Sequence, residues 1–246
     1  MKQFKFLAAI PIIMAFVFTG CNNADDKKTE PTTAATPDTS AAKPKETAPT
    51  PAPLFNVAVI IHKVANYTKW LPLYESDDSA RMANGLSNYV LGRGMDKDSN
   101  TVLVALKMAD PAKAKAMANS PALKEKMKQG GVIGVPTMFF EENVMMDTST
   151  MANTVARVMV THKVKDWDTW KKEFDSHKQA RLDAGLVDRV VGHSIDDNHL
   201  VRIVFAITDM AKAKAFMASK DLKDKMAAAG VEGPPTFFYY TIAKKY

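Results

Sequence analysis

Arginine stands among aromatic residues on one face of two predicted helices. With about 100° of rotation per residue, side chains at these spacings fall within roughly 60° of one another. The two sets are Trp70, Tyr74, Asp77 and Arg81 in one helix, and Trp170, Phe174, His177 and Arg181 in the other. A buried arginine keeps its charge, so it needs a carboxylate, a phosphate or carbonyl groups as partners. Two interpretations follow. Arg81 and Arg181 bind an anionic or polar ligand against an apolar wall of Trp70 and Trp170, or they cap helix carbonyls or pair with an acid.

A histidine stands near the end of a predicted strand that precedes each of these helices, at His62 and His162. Because its unperturbed pKa is about 6.5, imidazole can serve near neutrality as an acid, a base or a ligand. Side chains alternate along a strand, so each histidine shares a face with the apolar residue two positions earlier. Both residues are therefore candidate ligand-binding groups, or else histidines that the core satisfies with hydrogen bonds.

The second segment carries more histidine than the first. His177 and His193 stand where the first segment has an aspartate and an arginine. If both converge on His162, only the second segment is active, and the predicted catalytic residues are His162, His177 and Arg181, with His193 as a ligand-binding neighbour. The histidines lack a short spacing such as His-x-x-x-His, so we predict neither a metal site nor a cofactor.

These residues recur because the chain contains the same segment twice. Residues 57–96 match residues 157–196 at 12 of 40 positions, including His62, Trp70 and Arg81. With the offset shortened by one residue, residues 110–140 match residues 209–239 at 17 of 31 positions. The sequence therefore predicts a tandem duplication of a unit of about 90 residues, which is the size of a small domain.

Both copies predict the same order of elements. In the first, β-branched residues at 57–63 indicate a strand, and Asn66 and Gly85 are suited to begin and end a helix. Two strands around a polar turn follow, then an Ala- and Lys-rich helix at 111–128 and a strand at 138–141. The corresponding residues of the second copy are 157–164, Asp166, Gly185, 210–228 and 237–240. This order predicts an α+β fold of two ferredoxin-like βαββαβ repeats.

The motifs of each copy resemble one family of proteins. They are His-Lys-Val, a helix with Trp and Arg, Gly-Leu, an Ala-Lys-Ala helix ending in Leu-Lys-x-x-Met, and Gly-Val-x-Gly-x-Pro-Thr. Together they are similar to the antibiotic biosynthesis monooxygenase-like superfamily of dimeric α/β barrels. The resemblance implies that two ferredoxin-like units pair their sheets into a closed barrel. A chain with two copies would form the barrel by repeat–repeat pairing within itself, which would make a monomer possible, and pairing between chains is the alternative. That superfamily includes oxygenases, haem-degrading enzymes, isomerases and dismutase-like proteins, so it implies the fold more strongly than an activity.

The composition excludes several classes of protein. The chain has 246 residues, of which 46% are hydrophobic, so it can bury a core and is not disordered throughout. A single cysteine excludes internal disulfides and cysteine-rich zinc sites. The net charge of +6 is spread along the chain without a basic stripe, so we predict no nucleic-acid partner.

The single cysteine follows a predicted signal peptide at residues 1–20. Two lysines precede an apolar run at 6–18, which is too short to span a bilayer comfortably and is typical of a secretory signal. The ending Phe-Thr-Gly-Cys21 resembles a bacterial lipobox, in which the cysteine is diacylated and becomes the first residue. This implies a secreted protein held by membrane lipid through acylated Cys21. An ordinary signal peptide with an incidental cysteine is the alternative.

The segment after Cys21 predicts a disordered tether. Residues 21–54 are rich in proline, threonine and alanine and contain no aromatic residue, so they cannot bury enough surface to offset their chain entropy. The two ferredoxin-like repeats are expected at 55–147 and 155–246. Asn22 is not the aspartate associated with inner-membrane retention, and the resemblance to lipoproteins therefore implies the outer membrane.

Three functions are compatible with these features. We expect a lipid-anchored tandem α/β barrel that binds a small, partly apolar molecule. The family resemblance also implies a cofactor-independent monooxygenase or isomerase, with His162 as acid or base and Arg181 polarising a substrate oxygen. A haem-binding or haem-degrading protein is the third, and it requires a histidine that faces a large apolar cavity.

Overall fold

A computed structural model of the protein describes residues 54–246. The predicted signal peptide, the lipidation site at Cys21 and all but the last residue of the predicted tether lie outside the described residues. Within the described part of the chain, no helix is both long enough and apolar enough to cross a membrane.

Two units with the same order of elements follow each other along the chain. The first comprises β1 (Asn56–Val64), α1 (Tyr67–Ser76), α2 (Asp78–Ala83), β2 (Leu86–Gly94), β3 (Thr101–Met108), α3 (Pro111–Ala118), α4 (Pro121–Gln129) and β4 (Val132–Met146). The second comprises β5 (Arg157–Val164), α5 (Trp167–Ser176), α6 (Lys178–Asp183), β6 (Leu186–Ser194), β7 (Leu200–Ile207), α7 (Met210–Ala218), α8 (Lys220–Ala228) and β8 (Val231–Lys245).

The eight strands form one closed antiparallel barrel in the order β1-β3-β2-β8-β5-β7-β6-β4. Each unit contributes four neighbouring strands, and the units join where β2 pairs with β8 and where β4 pairs with β6. Closure leaves no strand edge unpaired, which removes the sites where sheets associate with one another. The predicted α+β fold of two ferredoxin-like βαββαβ repeats is confirmed.

The two seams between the units require glycine. At Gly92 on β2, an added Cβ would lie 2.5 Å from the ring of Tyr240 on β8. At Gly192 on β6, it would lie 2.5 Å from the backbone oxygen of Glu142 on β4. No side chain fits at such distances, so these two positions let the units approach closely.

The strands that form the seams are longer than the sequence predicts. Each last strand was expected to cover four residues, yet β4 and β8 each have 15. The first part of β4 pairs with β1 of its own unit, and the second part pairs with β6 of the other unit. A strand with two successive partners must be long, and β8 does the same with β5 and β2.

The helices are shorter than predicted, because each expected helix is interrupted. Asn66 caps α1 as expected, accepting a hydrogen bond from the Lys69 amide at 3.0 Å. The helix then ends at Asp77, and α2 starts after it. Arg81 accounts for the break, since its Nη1 donates to the Tyr74 carbonyl at 2.7 Å and so takes an acceptor that a continuous helix would use itself.

The sheet has two different faces. Along β1, Val57 and Val59 point into the barrel, whereas Ala58 and His62 point outward to the helices of the same unit. The alternation follows from the strand repeat of two residues. Each unit thus has its own apolar core between sheet and helices, and a third core fills part of the barrel.

Candidate functional site

Each unit has a cavity between its helices and the outer face of its sheet, and each cavity is partly open to solvent. The cavity of the first unit has a volume of about 130 Å³ and that of the second about 100 Å³. Most of the predicted site residues line them. They are His62, Trp70 and Arg81 in the first unit, and His162, Trp170, His177 and Arg181 in the second.

The two strand histidines are buried without hydrogen bonds. His62 is 7% exposed and His162 is 6% exposed, and no ring nitrogen of either has a partner within residues 54–246. Burial lowers the pKa of each from 6.5 to about 4, because a charged imidazole would lose its hydration. Both rings are therefore neutral at physiological pH, and each offers one donor and one acceptor to its cavity.

A tryptophan holds each histidine in place. The rings of His62 and Trp70 meet edge to face with centroids 5.5 Å apart, and His162 and Trp170 repeat this at 5.5 Å. Each tryptophan also stacks on the aromatic residue one helical turn later, which is Tyr74 at 4.9 Å in the first unit. Such pairs prefer these offset and edge-on geometries, so each cavity has a rigid aromatic wall.

Arg181 is engaged by groups of the protein itself. Its Nε and Nη2 donate to the two carboxylate oxygens of Asp188 at 2.8 and 2.6 Å, and its Nη1 donates to the Phe174 carbonyl at 2.5 Å. The guanidinium also lies 3.6 Å from the centre of the Phe174 ring. These are the contacts of an arginine that pairs with an acid and caps a helix. Ligand binding by Arg181 stays a prediction.

Arg81 is placed in the same way but is paired less tightly. Its Nη1 donates to the Tyr74 carbonyl, while its Nη2 lies 3.5 Å from the carboxylate of Asp78. Asp78 also accepts a hydrogen bond from Asn88, which occupies the position of Asp188 in the first unit. The Nε of Arg81 is buried with no partner among the described residues. The two units thus share an architecture and differ in how the arginine is satisfied.

The additional histidines of the second unit do not converge. His177 caps the break between α5 and α6 and lines the cavity with His162. His193 lies outside it, with its ring edge-on to Trp167 at 4.6 Å and its Nδ1 3.0 Å from the Ser194 carbonyl oxygen. Across residues 54–246, no three His, Cys, Asp or Glu side chains are grouped so that they could hold a metal ion.

Part of each cavity wall could not be assigned from the sequence. Met117, Leu123 and Met127 from α3 and α4 line the first cavity, and Met217, Leu222 and Met226 from α7 and α8 line the second. The sequence showed only that methionine and leucine lie beneath the lysines of these amphipathic helices. Methionine adapts to irregular space, so this side of each cavity is the more easily reshaped.

Comparison with known proteins supports the fold. No protein-family model and no curated protein sequence matches the chain. An anthrone oxidase-like protein superposes with a TM-score of 0.54 at 12% identity, covering 79% of this chain and 93% of the other. A candidate monooxygenase from Fusobacterium nucleatum gives 0.52 at 12% identity, covering 78% and 93%. A candidate chlorite dismutase gives 0.51 at 13% identity, covering 78% and 96%.

The chain shares its α/β-barrel fold with these three structures, in agreement with the resemblance seen in the sequence motifs. At these levels of identity the likeness concerns the fold alone, and function must be argued from the cavities.

The buried histidines predict a pH-dependent stability. The unfolded chain protonates His62 and His162 near pH 6.5, whereas in the folded protein their pKa values lie at about 4. Between these values the unfolded state binds more protons. The free energy of unfolding therefore decreases as the pH falls from 6.5 towards 4, by up to roughly 3 kcal/mol per histidine. Urea unfolding at several pH values measures this decrease.

A His62→Leu/His162→Leu double variant supplies the comparison. In this variant the free energy of unfolding should change little between pH 6.5 and 5. His199→Leu removes an exposed histidine, so its free energy of unfolding should decrease over this range as in the wild type. Equal pH dependence in the double variant and the wild type would show that the two histidines are not buried in the neutral form.

Proposed function

We propose that the protein is a lipid-anchored binding protein whose helix-side cavities take a small, largely apolar molecule with a hydroxyl group. The observation that carries the proposal is the pair of neutral histidines, His62 and His162, whose ring nitrogens have no hydrogen-bond partner among the described residues. A buried polar group without a partner costs about 1–3 kcal/mol. A ligand hydroxyl that accepts from or donates to the imidazole would remove that cost.

The size of the cavities limits the ligand. An apolar cavity of about 150 Å³ accommodates benzene. The volumes of about 130 and 100 Å³ are smaller than this, so they limit the ligand to at most a single aromatic ring or its aliphatic equivalent. Trp70 stacks on Tyr74, and Trp170 stacks on Phe174. A flat ligand ring could contact these tryptophans in the same stacked or edge-on geometries, so the aromatic walls favour an aromatic ligand.

Haem does not fit these cavities as they stand. His62 and His162 have free ring nitrogens and could in principle serve as ligands to iron. A macrocycle of four pyrrole rings, however, needs several times the space of one aromatic ring. The haem interpretation is therefore not supported by the geometry of either cavity.

A cofactor-independent monooxygenase or isomerase is the second candidate function. The fold is shared with an anthrone oxidase-like protein and a candidate monooxygenase. In this function His162 acts as the acid or base and Arg181 polarises a substrate oxygen. The pair between Arg181 and Asp188 occupies much of that guanidinium, and a pKa of about 4 makes His162 a weak base. Binding is for these reasons the better-supported function.

Phenol is a suitable probe of the proposed binding. Trp70 and Trp170 line the cavities, so saturable quenching of tryptophan fluorescence should report its entry. The His62→Leu/His162→Leu variant should bind phenol about tenfold more weakly, because it loses the hydrogen bond to the hydroxyl. His199→Leu should bind as the wild type does. Unchanged affinity in the double variant would contradict the proposal, and oxygen uptake with hydroquinone would favour the oxygenase instead.

Membrane anchoring is a separate part of the proposal. Its support is the sequence alone, which places a basic start, an apolar run and a lipobox-like ending before Cys21. Two acyl chains at about 0.8 kcal/mol per buried methylene would hold the protein at a membrane, which we propose to be the outer one.

Mass spectrometry of the mature N-terminal peptide tests the anchor. The peptide should begin at Cys21 and carry the added mass of a diacylglyceryl group, which supplies the two acyl chains. Cys21→Ser should abolish this modification, and Asn23→Ser should leave it intact. An unmodified Cys21 in the wild-type protein would show that the segment is an ordinary signal peptide.

A further inference from the structure

Three buried arginines line a cavity inside the barrel, on the sheet face opposite the two helix-side cavities. The interior cavity has a volume of about 280 Å³, which is larger than either of the others. Arg157, Arg189 and Arg202 each expose less than a tenth of their surface. A buried guanidinium is tolerated only when charges and hydrogen-bond acceptors surround it, so the partners of each arginine are informative.

Arg202 and Arg189 each have one acidic partner. Arg202 forms an ion pair with Glu141 and donates its Nε to the Thr161 hydroxyl at 3.0 Å, but its Nη2 has no partner within residues 54–246. Arg189 donates to Asp147 at 2.7 Å and to the carbonyl of Ser149 at 2.6 Å. Two of the three positive charges are thereby balanced.

Arg157 has no acidic partner in the described part of the chain. Its one hydrogen bond there goes from Nη1 to the Val155 carbonyl at 2.8 Å. Burial, with a contribution from the nearby charge of Arg189, lowers its pKa. Three guanidinium groups thus face two carboxylates, and the cavity contains an unbalanced positive charge.

All three arginines belong to the second unit. Their counterparts in the strands of the first unit are Val57, Tyr89 and Leu103. The interior therefore has a cationic side and a largely apolar side, the latter extended by Val59 and Ala105. The second unit alone therefore supplies the arginines of the cavity, and two of them pair with acids that lie before the second unit in the chain.

Tyr240 adds a neutral donor to the cationic side. Burial raises its pKa to about 12, so the phenol keeps its proton. The Tyr240 ring lies close against Gly92, and the residue is part of the cavity wall. The cavity also reaches Lys245 and Tyr246, which are exposed, so it opens to the surface at that end.

We propose that the barrel interior binds a small carboxylate with an apolar body, held by Arg157 and by the hydroxyl of Tyr240, its neighbour on β8. A carboxylate matches the planar fork of a guanidinium and would balance the remaining positive charge. The volume is nearly twice that of a cavity that takes benzene, which leaves room for a ring or short chain against Val57 and Leu103. This site is independent of the helix-side cavities.

The proposal is tested by isothermal titration calorimetry, in which benzoate is titrated into the full-length protein in detergent. Benzamide has the same shape without the charge and should bind at least about tenfold more weakly. Arg157→Val, which installs the residue of the first unit, should weaken benzoate binding by a similar factor. Arg93→Met, which changes an arginine that donates to Ser99 outside the barrel, should leave it unchanged.

Two further variants separate loss of benzoate binding from loss of folding and from the phenol site. Arg157→Lys preserves the charge but not the fork, so it should weaken benzoate binding several-fold even if Arg157→Val fails to fold. The His62→Leu/His162→Leu variant should bind benzoate normally, which separates this site from the phenol site. The proposal is overturned if the wild type gives no benzoate binding, if benzoate and benzamide bind equally, if Arg157→Lys is unaffected, or if the double histidine variant loses binding.

Discussion

Closure of the barrel through two long strands is the constraint on which the rest of the structure depends. A four-stranded unit on its own would leave two strand edges unpaired. Because β4 and β8 each continue past their own unit, each edge is paired by the other unit, at seams where Gly92 and Gly192 permit close backbone approach. Closure separates the sheet into an outer face under the helices and an inner face around a cavity.

The two faces bury polar groups in opposite ways. On the outer face, burial keeps His62 and His162 neutral, and no charge among the described residues offsets the loss of hydration that the imidazolium would suffer. On the inner face, Arg202 pairs with Glu141, whereas Arg157 has no acidic partner among residues 54–246. Neither arrangement is explained by stability, because apolar residues at these positions would avoid the cost of desolvation. Groups retained at such a cost are candidates for binding.

The sequence was sufficient to predict the fold and much of the helix-side site. A helix period of 3.6 places Trp70 and Arg81 on one face, and strand alternation places His62 on the same face of its strand as Ile60. The structure brings His62, Trp70 and Arg81 together around one cavity. Asn66 was recognised as an N-cap because its side chain can accept from a free helix amide. Local patterns of this kind depend on neighbours within a few residues, which a single sequence contains.

Features that depend on distant contacts were not predictable. The sequence does not predict the length of β4, because Gly134 and Pro136 are typical of turns and the continuation of the strand is fixed by its pairing with β6. The helix break at Asp77 depends on the hydrogen bond from the Arg81 side chain to the Tyr74 carbonyl. The position of His193 outside the cavity depends on its contact with Trp167. The inward direction of Arg157 and Arg202 follows from barrel closure, although their replacement of Val57 and Leu103 was visible in the aligned repeats.

The most direct test of the account is the protonation state of the two strand histidines and its response to a ligand. Long-range ¹H–¹⁵N NMR spectra resolve the ring nitrogens of His62 and His162. The account predicts neutral rings from pH 7 down to about pH 5, and a shift of one nitrogen in each ring when phenol is added. Rings that protonate near pH 6.5, or nitrogen signals that stay in place at saturating phenol, would contradict it.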